Sequence, residues 1–310
     1  MLNTFRTTPN FGTTMSRKIV FFGNERLVSG LDHTETPVLK ALIDADYDIR
    51  AVVSNDAGTK SRKQKVLEIA ELARANNIPV HTPKNPTDIY DELAAYGADA
   101  GVLVAYGRIV PQKLIDLFPF GIINIHPSLL PKYRGPSPIE SAIANGDEST
   151  GISIMALSAK MDAGPVYHQV EFNLPTYEAA PHLSQKLAGL AATELIATLP
   201  KIFDGSLQAK PQDDSQATYC QLISKQDAVL SPQSQTAEQA ECLVRAYKAF
   251  PRARINIKGH DIIILEAHVS TKQKTLLDVA FKKDYLSIDQ LISPSGKTMS
   301  ADAFIQGYLK

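Results

Sequence analysis

The sequence predicts an α/β protein: a Rossmann-like, doubly wound, mostly parallel sheet with a small C-terminal β-barrel of OB-like type. Three observations lead there. Short apolar runs, KIVFFG at 18–23 and AGVLVA at 100–105, have the continuous hydrophobicity of strands buried on both faces. Helical patterns alternate with such runs as far as residue 203, as right-handed βαβ units require. The polar stretch 205–216, GSLQAKPQDDSQ, then separates this pattern from short strand-like runs nearer the C-terminus.

The elements follow in order. The first strand ends at Gly23. Residues 34–46 fit a helix, with Pro37 in its first turn and Val38, Leu42 and Ala45 on one face. A second strand, IRAVVS at 49–54, precedes a loop rich in Gly and base, NDAGTKSRKQK. Residues 65–76 form a helix with Val66, Ile69, Ala70 and Ala73 along one side. A short strand at 78–81, a helix at 88–96 and strands at 100–105 and 121–126 come next. A helix at 138–145, strands at 151–157 and 166–174, and a long helix at 179–203 complete the layer. Beyond the linker, a helix at 236–247 precedes strands at 253–257, 261–269 and 276–281. The expected organisation is a loose tail over 1–15, a catalytic domain over 16–204, a linker over 205–216 and a barrel over 217–310.

Composition narrows the class. The chain has 310 residues, enough for two domains at ~150 each. Hydrophobic residues make up 44% and charged residues 21%, which excludes a disordered chain. A net charge of −1 excludes a globally basic nucleic-acid binder. The segment from Lys210 onward is slightly basic, with 13 Lys and Arg against 11 Asp and Glu. Two cysteines, Cys220 and Cys242, support neither a disulfide framework nor a four-ligand zinc site, and read as free thiols in a reducing cytoplasm. No apolar run is long enough for a membrane span, and the first residues lack the apolar core of a secretory signal. A cytoplasmic monomer without membrane contact is expected.

The usual nucleotide and hydrolase motifs are missing. There is no G-x-G-x-x-G after the first strand, no phosphate-cradling P-loop, no G-x-S-x-G elbow and no H-E-x-x-H. What stands out instead is the strand GIINIH. In an extended strand Asn124 and His126 face the same side. A Pro-flanked loop, PSLLPKYRGP, follows, and Met161-Asp162-Ala163-Gly164-Pro165 makes a later turn. Asn124 can donate to a developing oxyanion, His126 can move a proton near neutral pH, and Asp162 can hold the imidazole and its charge. Such a set suits direct attack of an external amine on a carbonyl. The same residues also fit a capping pair at a strand end and an Asp that starts a turn, and spacing alone leaves both readings open.

The motifs GIINIHPSLLPKYRGPSPI and MDAGPV, in this order, resemble the folate-dependent formyltransferases across residues 17–205. The resemblance implies that Asn124, His126 and Asp162 are catalytic. It implies that Ser128, Leu129, Leu130 and Pro131 lie against the folate. Tyr106 and Gly107, within AYGRIVP, match the turn beside the pterin. The donor it implies is 10-formyltetrahydrofolate, with no metal.

The added C-terminal residues point to the branch of the family that formylates the amino group of initiator methionyl-tRNA. The segments ISKQDA at 223–228 and RAYKAFPRA at 245–253 resemble those of that branch. The resemblance then implies tRNA contacts from Lys60, Arg62 and Lys63 in the basic loop and from Arg245, Lys248 and Arg252 in the tail domain. Formyltransferases acting on nucleotide-linked amino sugars also carry an added domain and are the alternative.

Overall fold

The computed structural model describes residues 17–31, 33–55 and 67–310. Among them, seven strands form one sheet. Strand β1 (Lys18–Gly23) pairs in parallel with β2 (Asp48–Val53) and β4 (Ala100–Val104). The short β3 (Val80–His81) extends β2, and β5 (Ile122–His126) extends β4, both in parallel. The last two, β6 (Ser149–Ala156) and β7 (Val166–Asn173), are antiparallel, giving the order β3-β2-β1-β4-β5-β6-β7.

The alternating side chains of β1 show why the sheet is covered twice. Ile19 and Phe21 belong to one core cluster, Val20 and Phe22 to another. The first cluster is packed by α1 (Pro37–Asp44), α2 (Glu68–Ala75) and the long α6 (Ala180–Phe203), through Leu39, Ile69 and Leu187 among others. The second is packed by α3 (Tyr90–Ala95) and α4 (Gln112–Ile115), through Leu93 and Leu114. The four-residue α4 is too short to show a period in sequence.

The sheet is mostly parallel, as the sequence predicts, and turns antiparallel at β6 and β7. Continuation of the βαβ pattern would have made β6 and β7 parallel. Instead the chain from His126 to Ser149, which includes α5 (Pro138–Ala144), returns to the end of the sheet it left. His126 therefore pairs with Ser153 and Ile123 with Ala156. The β6–β7 connection then starts beside Ile122, whose carbonyl accepts from Leu157 N at 2.7 Å.

Residues 204–236 cross back over the seven-stranded layer. Lys210 and Val166 exchange two backbone hydrogen bonds at 2.8 Å. Further on, Thr218 N donates to Pro131 O, Arg134 N to Thr218 O and Cys220 N to Arg134 O, so that 218–220 runs like an extra short strand along 131–134. Gly135 permits the approach. Its φ is +122°, and a Cβ there would fall 2.3 Å from Cys220 O.

The tail opens with α7 (Ala237–Ala246), capped by Thr236 and Gln239 in a reciprocal capping box. Strands β8 (Arg254–Ile257), β9 (His260–Ser270), β10 (Asp278–Ala280), β11 (Tyr285–Ile292) and β12 (Thr298–Ser300) form an antiparallel sheet, ordered β10-β11-β9-β8 with β12 beside β11. The sheet is a half-barrel, curled around Ile255, Ile264, Leu286 and Leu291. The short α8 (Ala301–Phe304) closes one end with the fully buried Phe304. Ala228, Ala246 and Tyr247 reach into the main core instead, so the tail shares apolar contacts with the seven-stranded layer.

Candidate active site

The site is built on β5, buried along its whole length. Asn124 and His126 are each 5% exposed. His126 Nε2 lies 2.9 Å from the carbonyl oxygen of Tyr133. A carbonyl only accepts, so Nε2 carries the hydrogen and the neutral ring keeps its lone pair on Nδ1. That Nδ1 faces Asp162, with 3.7 Å to Oδ2. The gap is too long for a hydrogen bond but places a carboxylate beside the nitrogen that would carry the charge of an imidazolium.

Asp162 is held in an unusual backbone. Its φ is +46°, a left-handed conformation that costs a non-glycine residue on the order of 1 kcal/mol. Gly135 N donates to Asp162 Oδ2 at 2.9 Å, which fixes the carboxylate from the loop opposite. Gly164 lets the turn lie on β6, since a Cβ there would fall 1.9 Å from Ala156 O. The Asp-Ala-Gly run is thus a geometric requirement. The turn leaves β6 at the Ile122 end of β5 and folds back, and the bond from Gly135 N holds Asp162 beside His126.

The loop 128–131 is pinned from β6 and β7. Ser153 Oγ donates to Ser128 O at 2.6 Å and accepts from Leu130 N at 3.1 Å and Gln169 Nε2 at 2.9 Å. Gln169 Nε2 also donates to Leu130 O at 2.8 Å. Leu130 is buried, and Leu129 is half-buried against Gly151. These two strand residues, together with Tyr133 and Gly135, support the site and were not singled out from sequence. Backbone partners leave no side-chain signature, and Ser153 and Gln169 become neighbours only through antiparallel pairing.

Other expected residues are placed differently. Tyr106 is 1% exposed, its ring edge-on to Phe22 at 5.8 Å, so its side chain is core rather than a cleft wall. Gly107 beside it is exposed. Arg245 is not a free cation. Its guanidinium pairs with Glu241 at 2.8 Å and donates to Glu178 O at 3.0 Å, tying α7 to the catalytic layer. Lys248 Nζ donates to Leu265 O at 2.6 Å. Arg252 is exposed. Lys60, Arg62 and Lys63 lie outside the described residues.

Cys220 Sγ sits 3.6 Å from Tyr133 O, the carbonyl that meets His126. Burial pushes its thiol pKa up, with the Asp162 charge acting in the same direction, so it is held as a thiol and not as a nucleophilic thiolate. The arrangement can therefore take a proton at Nδ1, hold the resulting imidazolium beside a carboxylate, and offer a carboxamide donor from Asn124.

Comparison with known proteins adds a lineage to this geometry. Residues 17–199 match the formyl transferase family, and residues 222–309 match the formyl transferase C-terminal domain. The chain belongs to the formyl transferase family. Among its relatives, this formyltransferase is 37% identical over 257 residues to the methionyl-tRNA formyltransferase of Lactobacillus delbrueckii subsp. bulgaricus, covering 82% of this chain and 81% of that one. It is 33% identical over 310 residues to the methionyl-tRNA formyltransferase of Coxiella burnetii, covering 95% and 96%. The solved N-formyltransferase of Helicobacter canadensis, in complex with folinic acid and dTDP-3-aminofucose, shares the fold with a TM-score of 0.63 at 16% identity, over 88% of this formyltransferase and 99% of that chain. Formyltransferases of this family use folate-derived formyl donors. No helix among the described residues is long and apolar enough to cross a membrane.

Proposed function

We propose that this formyltransferase moves the formyl group of 10-formyltetrahydrofolate to the α-amino group of methionyl-tRNA, with Asn124, His126 and Asp162 at the reacting centre. The observation that carries this reading is the orientation of His126. Its Nε2–H is given to the Tyr133 carbonyl, which leaves the Nδ1 lone pair beside Asp162 as a proton acceptor. The amine nitrogen attacks the formyl carbon, and a carbon–nitrogen bond forms. Asn124 donates to the oxygen that gains charge. His126 Nδ1 takes a proton from the amine, and Asp162 stabilises the imidazolium. When the tetrahedral adduct collapses, its bond to the folate nitrogen breaks and His126 returns the proton to that nitrogen. No covalent enzyme intermediate is needed.

The Ser128, Leu129, Leu130 and Pro131 loop is the proposed folate wall, with Gly107 contributing backbone. Identities of 33–37% to methionyl-tRNA formyltransferases over most of the chain support tRNA as acceptor. The amino-sugar alternative is supported by a shared fold at 16–17% identity. Phosphate contacts are assigned to Lys60, Arg62, Lys63, Lys248 and Arg252. The test is transfer of labelled formyl from 10-formyltetrahydrofolate with methionyl-tRNA and a nucleotide-linked amino sugar as parallel acceptors. Label on the tRNA is expected. Efficient label on the sugar amine with none on the tRNA would overturn the assignment of acceptor.

A further inference from the structure

Arg134 is 0% exposed, and its charge is met by residues from the segment between the two domains. Nε and Nη2 donate to Gln212 Oε1 at 3.0 and 2.8 Å, and Nη2 also donates to Asp214 Oδ1 at 2.7 Å. The other end of the same carboxamide faces the catalytic turn. Gln212 Nε2 donates to Asp162 O at 2.8 Å and to Gly164 O at 2.7 Å. With a guanidinium on one side and two carbonyls on the other, only one orientation of the amide satisfies both.

We infer that Gln212 is a positioning residue for formyl transfer, holding Asp162 at its distance from His126. Asp162 has the left-handed φ of +46°, and such backbone persists only where its surroundings over-determine it. Three contacts do so here. Gly135 N fixes the carboxylate, and Gln212 fixes the carbonyl on each side of Ala163. Gln212 is fixed in turn by a buried charge that cannot move without losing its partners. The inference rests on the catalytic role proposed for Asp162. It adds that the segment after α6 completes the catalytic centre from outside the sequence motif on which that role was based.

Gln212→Glu separates the two ends of the clamp. A carboxylate still accepts from Arg134, and pairs with it more strongly, but it turns an oxygen toward Asp162 O and Gly164 O. The parental enzyme is assayed first, and its failure to formylate methionyl-tRNA would sink the proposed function rather than this inference. With parental transfer established, Gln212→Glu should lower kcat about 10- to 100-fold, in the range expected for a small displacement of a catalytic group. KM for both substrates should stay near parental values, while Tm falls because the carbonyls of Asp162 and Gly164 lose their donor. Asp214→Ala removes the carboxylate from Arg134 and the ion pair with Lys160, but leaves the bonds from Gln212 to Asp162 O and Gly164 O in place, and should lower kcat far less than the Gln212 variants do. Gln212→Met, similar in length and without hydrogen bonds, should lower kcat to a similar degree and stands in if the Glu variant does not fold. Parental kcat in a folded Gln212 variant would overturn the inference. So would an equal loss of kcat in Asp214→Ala, which would reduce Gln212 to a general anchor of the segment.

Discussion

The Nε2–H of His126 is donated to the main-chain oxygen of Tyr133, at 2.9 Å and seven residues along the chain. Tyr133 can present that oxygen because its own φ is +59°. A backbone group, which no side-chain substitution removes, therefore selects the imidazole tautomer. Asp162 is left to answer the charge that appears when Nδ1 is protonated.

Asp162→Asn and His126→Ala should each lower kcat by ~10²-fold or more. Folate-analogue binding, read as a rise in Tm, should persist in both, since neither change touches loop 128–131. A folded variant with near-parental turnover would remove that residue from the reacting centre.

Ser153→Ala should act on the donor side. It leaves Leu130 N and Ser128 O each without the buried partner they have in Ser153 Oγ. Such unmade bonds cost about 1–3 kcal/mol in stability. The loosened loop should raise KM for the folate donor more than KM for the tRNA. Equal changes in both constants would detach this loop from the donor.

Arg245→Ala and Arg252→Ala should part company. The first breaks the pair with Glu241 and the bond to Glu178 O, so Tm should fall. The second removes an exposed cation, so Tm should hold while KM for tRNA rises and its salt dependence becomes shallower. Unchanged tRNA kinetics across a salt series in Arg252→Ala would take that residue out of the interface.

Glu140 on α5 is 2% exposed, and its Oε2 has no hydrogen-bond partner among the described residues. Burial pushes its carboxyl pKa up to about 7, against the pull of its own backbone amide and that of Ser29. An unfolded Glu titrates near ~4.3. The folded chain thus binds the extra proton between the two values. The stability it contributes is full below the lower value and is lost as pH rises through the upper one. Glu140→Gln keeps the neutral form at every pH. Thermal melts should show a gain for the variant at pH 8, of order 1–3 kcal/mol at most, and little change at pH 4. A gain that is the same at both pH values would rule out ionisation as its cause.

Sequence was most informative where one residue pattern maps onto one geometry. The apolar runs at β1, β4 and β5 have to be central strands, and Asn124 with His126 has to share a face. It was silent where geometry depends on a distant segment. Nothing in 149–173 says that β6 reverses, because a buried strand reads the same in either direction. The exposed Asp289 and Gln290 interrupt the apolar pattern of β11, and β12 has three residues, so both were passed over. The basic pattern of Arg245 looked like a nucleic-acid surface, yet an acid one helical turn away had already claimed the charge.

The return of residues 210–220 across the catalytic layer bears on how such proteins can be recombined. The family match ends at residue 199, after Asn124, His126 and Asp162 but before Gln212 and Asp214. A chimera joined there would take the partners of Arg134, the clamp on Asp162 and the strand along 131–134 from the donor of its second half. If that donor carried other residues at these places, a guanidinium would be left buried and unpaired, at a cost of about 3–5 kcal/mol. Exchange of tail domains between relatives should therefore succeed with a junction beyond Cys220 and fail with one at the end of α6.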